Sequence, residues 1–461
     1  MMLSRRRFLT AIAATLATPI PPSFGQSEVP KLLANVADVQ LLPEKYAKTS
    51  IWGFEGKAPG PEIRVRQGER VQRKLINNLP DATSVHWHGI RIDNAMDGVS
   101  GLTQDAVKPG QDFHYDFVAP DAGTYWYHSH NRSFEQVARG LYGALIVDEP
   151  VQIDIDREEI LIFDDWLIDP DTAQIDENFT SPHAMSHAGR LGNYITTNGI
   201  YNLALDVRRH ERLRLRLINA ANARIFPLRL EGLEGWIVAL DGMPLPRPMR
   251  VTDTFTMGPA QRVDLIVDVT ALEGETAHIA QIDRSEALSQ VAFEVGSGGT
   301  TSRRKAPNAL PPNSYSPVDL ENARRLSLQM EGGAMGGLRS ATLSGKKLSM
   351  GEISRTGKYW AFNGAVDGTD GLPLAKLSIG EHVRIKISND TSFPHAMHLH
   401  GVHFHEVHND GRLGPLRDTT LLNRGDTREI AFVADNPGQW LLHCHMLSHA
   451  ASGMMTRIVV A

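Results

Sequence analysis

The chain of 461 residues holds a single cysteine, Cys444. An internal disulfide is therefore excluded, and so is any cysteine-rich metal site. Basic residues do not outnumber acidic ones: 47 Lys and Arg stand against 53 Asp and Glu, a net charge of -6. That balance excludes a nucleic-acid backbone or an acidic membrane surface as the main partner. Long stretches with helical periodicity are scarce, which excludes an all-α fold. The apolar run AIAATLATPI near the N-terminus is too short to span a bilayer, so no membrane span is expected. What remains is an ordinary globular composition, 41% hydrophobic and 22% charged, in a chain too long for one core.

Residues 1–25 carry a basic start, a short apolar stretch and small residues near Gly25. Arg5 and Arg6, after Ser4 and before Phe8 and Leu9, resemble a twin-arginine export signal. The resemblance implies passage through the twin-arginine translocase and a mature chain in the periplasm. In an oxidising compartment a lone thiol must be buried or bound, and a metal would protect it.

The chain repeats itself. IRVRQGERVQRKLINN (63–78), LDVRRHERLRLRLINA (205–220) and AKLSIGEHVRIKISND (375–390) align without a gap. Glu69, Glu211 and Glu381 share the seventh place, and Asn77, Asn219 and Asn389 the fifteenth. Alternation of period two between them predicts half-buried strands, and three copies predict three related β domains. We place these at 26–150, 151–313 and 314–461, with the Gly-, Ser-, Pro- and Arg-rich stretch 296–317 as an exposed linker. The expected class is all-β, built of Greek-key sandwiches or barrels. Residues 134–143 predict a helical turn over the first site.

Nine residues after the shared Asn, the first copy reads His86-x-His88 and the third His398-x-His400, where the middle copy has Leu228 and Leu230. Five residues after a turn glycine come His128-x-His130 and His443-x-His445, where the middle copy has Ile279 and Gln281. In a strand, residues i and i+2 face one way, so each pair presents two imidazoles side by side. One such pair is an ordinary surface feature; four at matched repeat positions are not. Eight imidazoles call for two or three ions, and the middle domain reads as a spacer without metal.

Cys444 lies between His443 and His445, so its sulfur faces the opposite side of the strand from their rings. A soft thiolate with two imidazoles and a distant thioether is the ligand set of blue copper. His395, His449 and Met454 are the candidates for the remaining places. The tripeptide would thus join two metal sites through its own bonds.

HWHG, GTYWYHSH, HAMHLHG and HCHMLSHAASGM together closely resemble the four copper motifs of the multicopper oxidases, laccase-like proteins of three cupredoxin domains. The likeness covers nearly the whole mature chain. It implies four copper ions: type 1 on His395, Cys444 and His449 with Met454 axial, type 2 on His86 and His398, and the type 3 pair on His88, His128, His130, His400, His443 and His445. The other nine histidines, His403, His405 and His408 among them, read as ordinary strand or surface residues. Asp97, nine residues after His88, stands where the family has an acid that relays protons; its competing reading is a turn residue before Gly98. Ala450 stands where many bacterial relatives have Glu, which leaves a second proton path open.

The implied activity passes single electrons from a small-molecule reductant, taken up at the edge of His449, across Cys444 to the His443 and His445 side, where dioxygen is reduced to two waters. Phenols and aromatic amines are the expected reductants, and cuprous or manganous ion the alternative. Cuprous oxidases carry a methionine-rich insert in the third domain, whereas residues 328–352 hold only Met330, Met335 and Met350. A copper nitrite reductase would need only two domains and no His-Cys-His tripeptide among paired imidazoles. A copper-free exported scaffold would have lost ligands. A monomer is expected.

Overall fold

The computed structural model describes residues 28–300, 302–366 and 368–461. The twin-arginine segment lies outside them. The chain is all-β, three successive sandwiches of two sheets each, with a small additional hairpin, Ser340–Leu343 and Lys346–Ser349, in the third. No helix among the described residues is long and apolar enough to cross a membrane.

The repeats are the same piece of architecture used three times. Strand Arg70–Asn77 runs parallel to Lys31–Val39, Arg212–Asn219 to Arg157–Trp166, and Glu381–Asn389 to Arg324–Gly332. Each shared Glu closes the turn before its strand, because its carboxylate accepts the backbone N–H three residues earlier: Arg66 for Glu69, Arg208 for Glu211 and Ser378 for Glu381. Each shared Asn is buried at the other end. Asn77 donates to Val107 O, Asn219 to Met257 O and Asn389 to Asn423 O, while each side-chain oxygen accepts the N–H two residues on. A buried backbone group left unpaired costs about 1–3 kcal/mol, so these side chains fix where each strand ends.

One strand departs from the half-buried expectation. Arg212–Asn219 alternates arginine and leucine, and every residue in it is buried. Leu213, Leu215 and Leu217 enter the middle core with Phe163, Phe226 and Phe293. On the other face Arg214 meets Glu149 at 2.7 Å and Asp264 at 2.7 Å, and Arg216 donates to Thr124 Oγ1 at 2.8 Å. Alternation alone cannot tell a solvated face from one that docks on another domain, since both need polar side chains.

The stretch 296–317 is mostly exposed but is tied down along its length, by Arg212 on Lys305 O and Arg91 on Ser314 O among other bonds. Leu310 packs with Val238, Ala239 and Ile266, and Asn313 bonds both to the N–H and to the C=O of Ala122. The predicted helical turn is the short helix Ser133–Gln136, directly after the second histidine pair.

Candidate metal centre

Four strands from two domains position the paired histidines: Val85–His88 and Gly123–Ser129 in the first, His395–Leu399 and Gly438–Cys444 in the third, with His130, His400 and His445 each one residue past a strand end. Within each domain the strands pair antiparallel, with His86 opposite His128 and His398 opposite His443. Between domains the rings stack, His86 on His400 at 4.0 Å and His88 on His398 at 3.8 Å. All eight histidines of the paired motifs converge on one interdomain space.

Their ligand atoms sort into groups within 4.8 Å of one another: His88 with His128 and His445, His130 with His400 and His443, and His86 with His88 and His398. Oxygen acceptors fix most of the rings. Nδ1 of His86 lies 2.8 Å from Asp97 O, that of His128 3.0 Å from Ser129 O, that of His398 2.9 Å from Asp418 O and that of His443 3.0 Å from Cys444 O. A carbonyl can only accept, so each Nδ1 carries the proton and each Nε2 keeps its lone pair. His88 is turned the other way, with Nε2 3.3 Å from the Asp418 carboxylate.

The remaining nitrogens have no protein partner. His86 Nε2, His88 Nδ1, His130 Nε2, His398 Nε2 and His445 Nδ1 are buried and unpaired. His400 Nε2 and His443 Nε2 point at each other across 3.1 Å with both Nδ1 atoms already engaged. Burial first, and then the neighbouring imidazoles, push His128, His400, His443 and His445 well below the ordinary histidine range, and His130 to about 3. Neutral rings that converge bare lone pairs in a dry space fit metal cations.

The second site lies behind the same strand. Cys444 Sγ lies 3.5 Å from His395 Nδ1 and 3.8 Å from His449 Nδ1, and the two nitrogens are 3.1 Å apart. His395 Nε2 is held by Thr391 Oγ1 at 2.8 Å. Trp360 covers both rings, 4.3 Å from His449 and 5.1 Å from His395. Cys444, Met397, Met446 and Met454 share one apolar core, where burial pushes the thiol up to about 12. A thiol so placed loses its proton only to a cation, and the soft donor set suits copper.

One expected feature is displaced. The edge of His449 is not at the surface: the residue is fully buried, and its Nε2 donates to His187 O of the middle domain at 2.7 Å. Above it lie His183 and His187, stacked at 4.0 Å, with Phe393 5.7 Å from His187. His183 is exposed, as expected of a surface residue, and His187 is half-buried; His403 is not a surface residue, since it is buried 4.0 Å from Asp418 with both ring nitrogens unpaired. Burial lowers His403 to about 4.

Asp97 is 2% exposed, with carboxylate oxygens 3.0 and 3.2 Å from His400 Nδ1 and one of them 3.2 Å from His86 Nδ1. It also closes the short helical turn Asn94–Met96. Asp418 was not apparent in the sequence, where no motif marks it. Burial would raise its carboxylate, but Arg262 beside it, with His398 and His88, holds it well below the usual range. Ala450 lines a cavity of about 260 Å³ that reaches His130 and His443.

Family models described as multicopper oxidase match residues 35–152, 157–289 and 345–461. The multicopper oxidase MmcO of Mycobacterium tuberculosis is 31% identical over 428 residues, 87% of this chain and 81% of that protein. A crystal structure of a multicopper oxidase from Pseudomonas thermotolerans superposes with a TM-score of 0.81 at 31% identity, covering 94% of this chain and 98% of that one. The structure of Lac15, from a marine microbial metagenome, does so with a TM-score of 0.76 at 42% identity, covering 94% and 100%.

Proposed function

Because the chain belongs to the multicopper oxidases, we propose that it couples one-electron oxidation of a small reductant at Cys444 to reduction of dioxygen to two waters at the paired histidines. The observation that carries this reading is the sorting of the imidazoles into two groups of three and a remaining pair, with the only thiol on the back of the same strand. His395, Cys444, His449 and Met454 would hold type 1 copper, His86 and His398 type 2, and the two triads the type 3 pair. Copper bound there supplies one-electron carriers and a polarising centre for dioxygen.

The chain's own groups do the rest. His187 O orients the His449 ring and closes it from solvent, so the reductant touches the middle-domain surface of His183 and His187 rather than His449 itself. From Cys444 the backbone gives a short bonded path to the rings of His443 and His445. Asp97 sets its carboxylate beside His400 and His86, where the four protons of each turnover must be delivered. The cavity beside Ala450 admits dioxygen and releases water on the His130 and His443 side.

The stacked rings of His183 and His187, with Phe393 edge-on to His187, suit a phenol or aromatic amine. Cuprous or manganous ion is the second reading, favoured by Met335, which is 77% exposed next to the residue that bonds Ser186 O. The unpaired nitrogens weigh against a copper-free scaffold. The Arg5-Arg6 signal supports export to the periplasm. Elemental analysis of loaded protein should give about four coppers per chain, with oxygen uptake driven by a panel of reductants. One or two coppers per chain would overturn the reading.

A further inference from the structure

We propose that Arg262, from the middle domain, is a positioning residue for the histidine cluster: acting through Asp418 it fixes the ring of His88. The inference rests on the multicopper reading of that cluster. It makes a domain with no histidine ligand part of the metal site rather than a spacer.

Arg262 is fully buried and touches all three domains. Its Nη1 and Nη2 grip both oxygens of Asp418, at 2.9 and 2.5 Å, in the third. Its Nε donates to Thr124 O in the first at 3.1 Å. Within its own domain its backbone N–H donates to Asp241 at 2.9 Å, and Asp241 also accepts from Arg417 at 3.1 Å. A planar fork on a carboxylate removes rotational freedom that a single bond would leave.

The carboxylate so fixed is the one against His88. Four of the cluster rings are anchored on backbone carbonyls, whose positions the sheets determine. His88 is anchored on a side chain, at 3.3 Å, and must offer Nδ1 rather than Nε2 to the metal. Its orientation is therefore as definite as the rotamer of Asp418, and Arg262 sets that rotamer. Thr419 Oγ1 adds a bond to the same carboxylate at 2.7 Å.

The glycine of the first histidine motif gives independent support. Gly89 has φ +85°, and a Cβ there would lie 2.1 Å from Arg262 Nη2 and 2.4 Å from Asp418 Oδ2. The motif leaves room at this position for the guanidinium as well as for its own turn.

The test compares Arg262→Gln, Arg262→Lys, Asp418→Asn and the charge-neutral double variant Arg262→Gln/Asp418→Asn as copper-loaded proteins. Chelator titration reads cluster and blue-site retention separately, and electron paramagnetic resonance reads whether the type 3 pair, which His88 would help to hold, stays magnetically coupled and silent. Arg262→Gln should weaken retention of cluster copper roughly 10–100-fold, the range for lost outer-shell partners, and uncouple part of that pair so that its copper adds to the resonance signal, while the blue absorption persists. Arg262→Lys, which keeps the charge but not the fork, should recover it only in part. The double variant should lose no more than Arg262→Gln alone, since both act on one ring. Parent-like retention and an unchanged resonance signal in Arg262→Gln would overturn the proposal. So would additive losses in the double variant, or blue-site and cluster copper lost in parallel with thermal stability, which would make Arg262 a structural residue only.

Discussion

Cupric ion added to the metal-free protein should displace one proton for each blue site formed, over the whole range from about pH 5 to about pH 10. The thiol of Cys444 is raised by burial to about 12, the N–H groups of Met446 and Ala396 offsetting only part of the effect. The imidazoles of the same site move the other way, His449 to about 3 and His395 well below its usual range, again through burial. Their lone pairs are thus free across this range, and the thiol proton is the one that must leave. A raised acid favours its protonated form below that value, so the proton competes with the metal and apparent affinity falls tenfold for each step of one pH unit downward. At pH 7 the competition amounts to about 10⁵-fold, or about 7 kcal/mol, against about 2 kcal/mol for an ordinary thiol near 8.5. Blue absorbance titrated against a competing chelator in a pH series measures the slope, and calorimetry in buffers of different ionisation enthalpy counts the proton. Flattening near pH 8.5 would refute the desolvated thiol. A slope of two or three below pH 7 would refute the neutral imidazoles. Cys444→Ser should give neither blue colour nor this proton while the cluster still takes up copper.

Two further outcomes are expected. Asp97→Asn should leave reduction of the blue site at its normal rate but slow reoxidation by air about 10²-fold or more, the range for a lost general acid; stopped-flow traces with equal reoxidation would make Asp97 a turn residue only. Arg214→Met removes the guanidinium between Glu149 and Asp264 and should cost about 3 kcal/mol in denaturant unfolding, because two buried carboxylates are left with the more distant Arg216 alone; a loss below about 1 kcal/mol would show that Arg216, water or rearrangement replaces it.

What could be read in the sequence was whatever obeys a short period. The Glu carboxylates and the side-chain oxygens of the Asn residues are local devices that bond two or three residues away, so their spacing survives as a visible pattern. The histidine pairs and the reversed sulfur of Cys444 follow from strand alternation alone. Arg262 and Asp418 are 156 residues apart and carry no motif, so their pairing exists only once the domains dock. The His187 carbonyl over His449 is a backbone group, which no residue type announces. The burial of His403, in a run with His405 and His408, depended on tertiary packing that periodicity cannot report.

The arginine face of Arg212–Asn219 has a consequence for assembly. The metal cluster needs strands of the first and third domains brought together to within tenths of an ångström, yet those strands share no sheet. An oily seam between domains would tolerate sliding, since one leucine contact replaces another at little cost. Guanidiniums seated on Glu149 and against Thr124 do not: a shift of one strand position would set buried charge against apolar side chains, at several kcal/mol each. The first domain is thereby held to one alignment on the middle one, and Arg262, which bonds Thr124 of the first domain and Asp418 of the third, carries that alignment on to the strands where eight imidazoles meet.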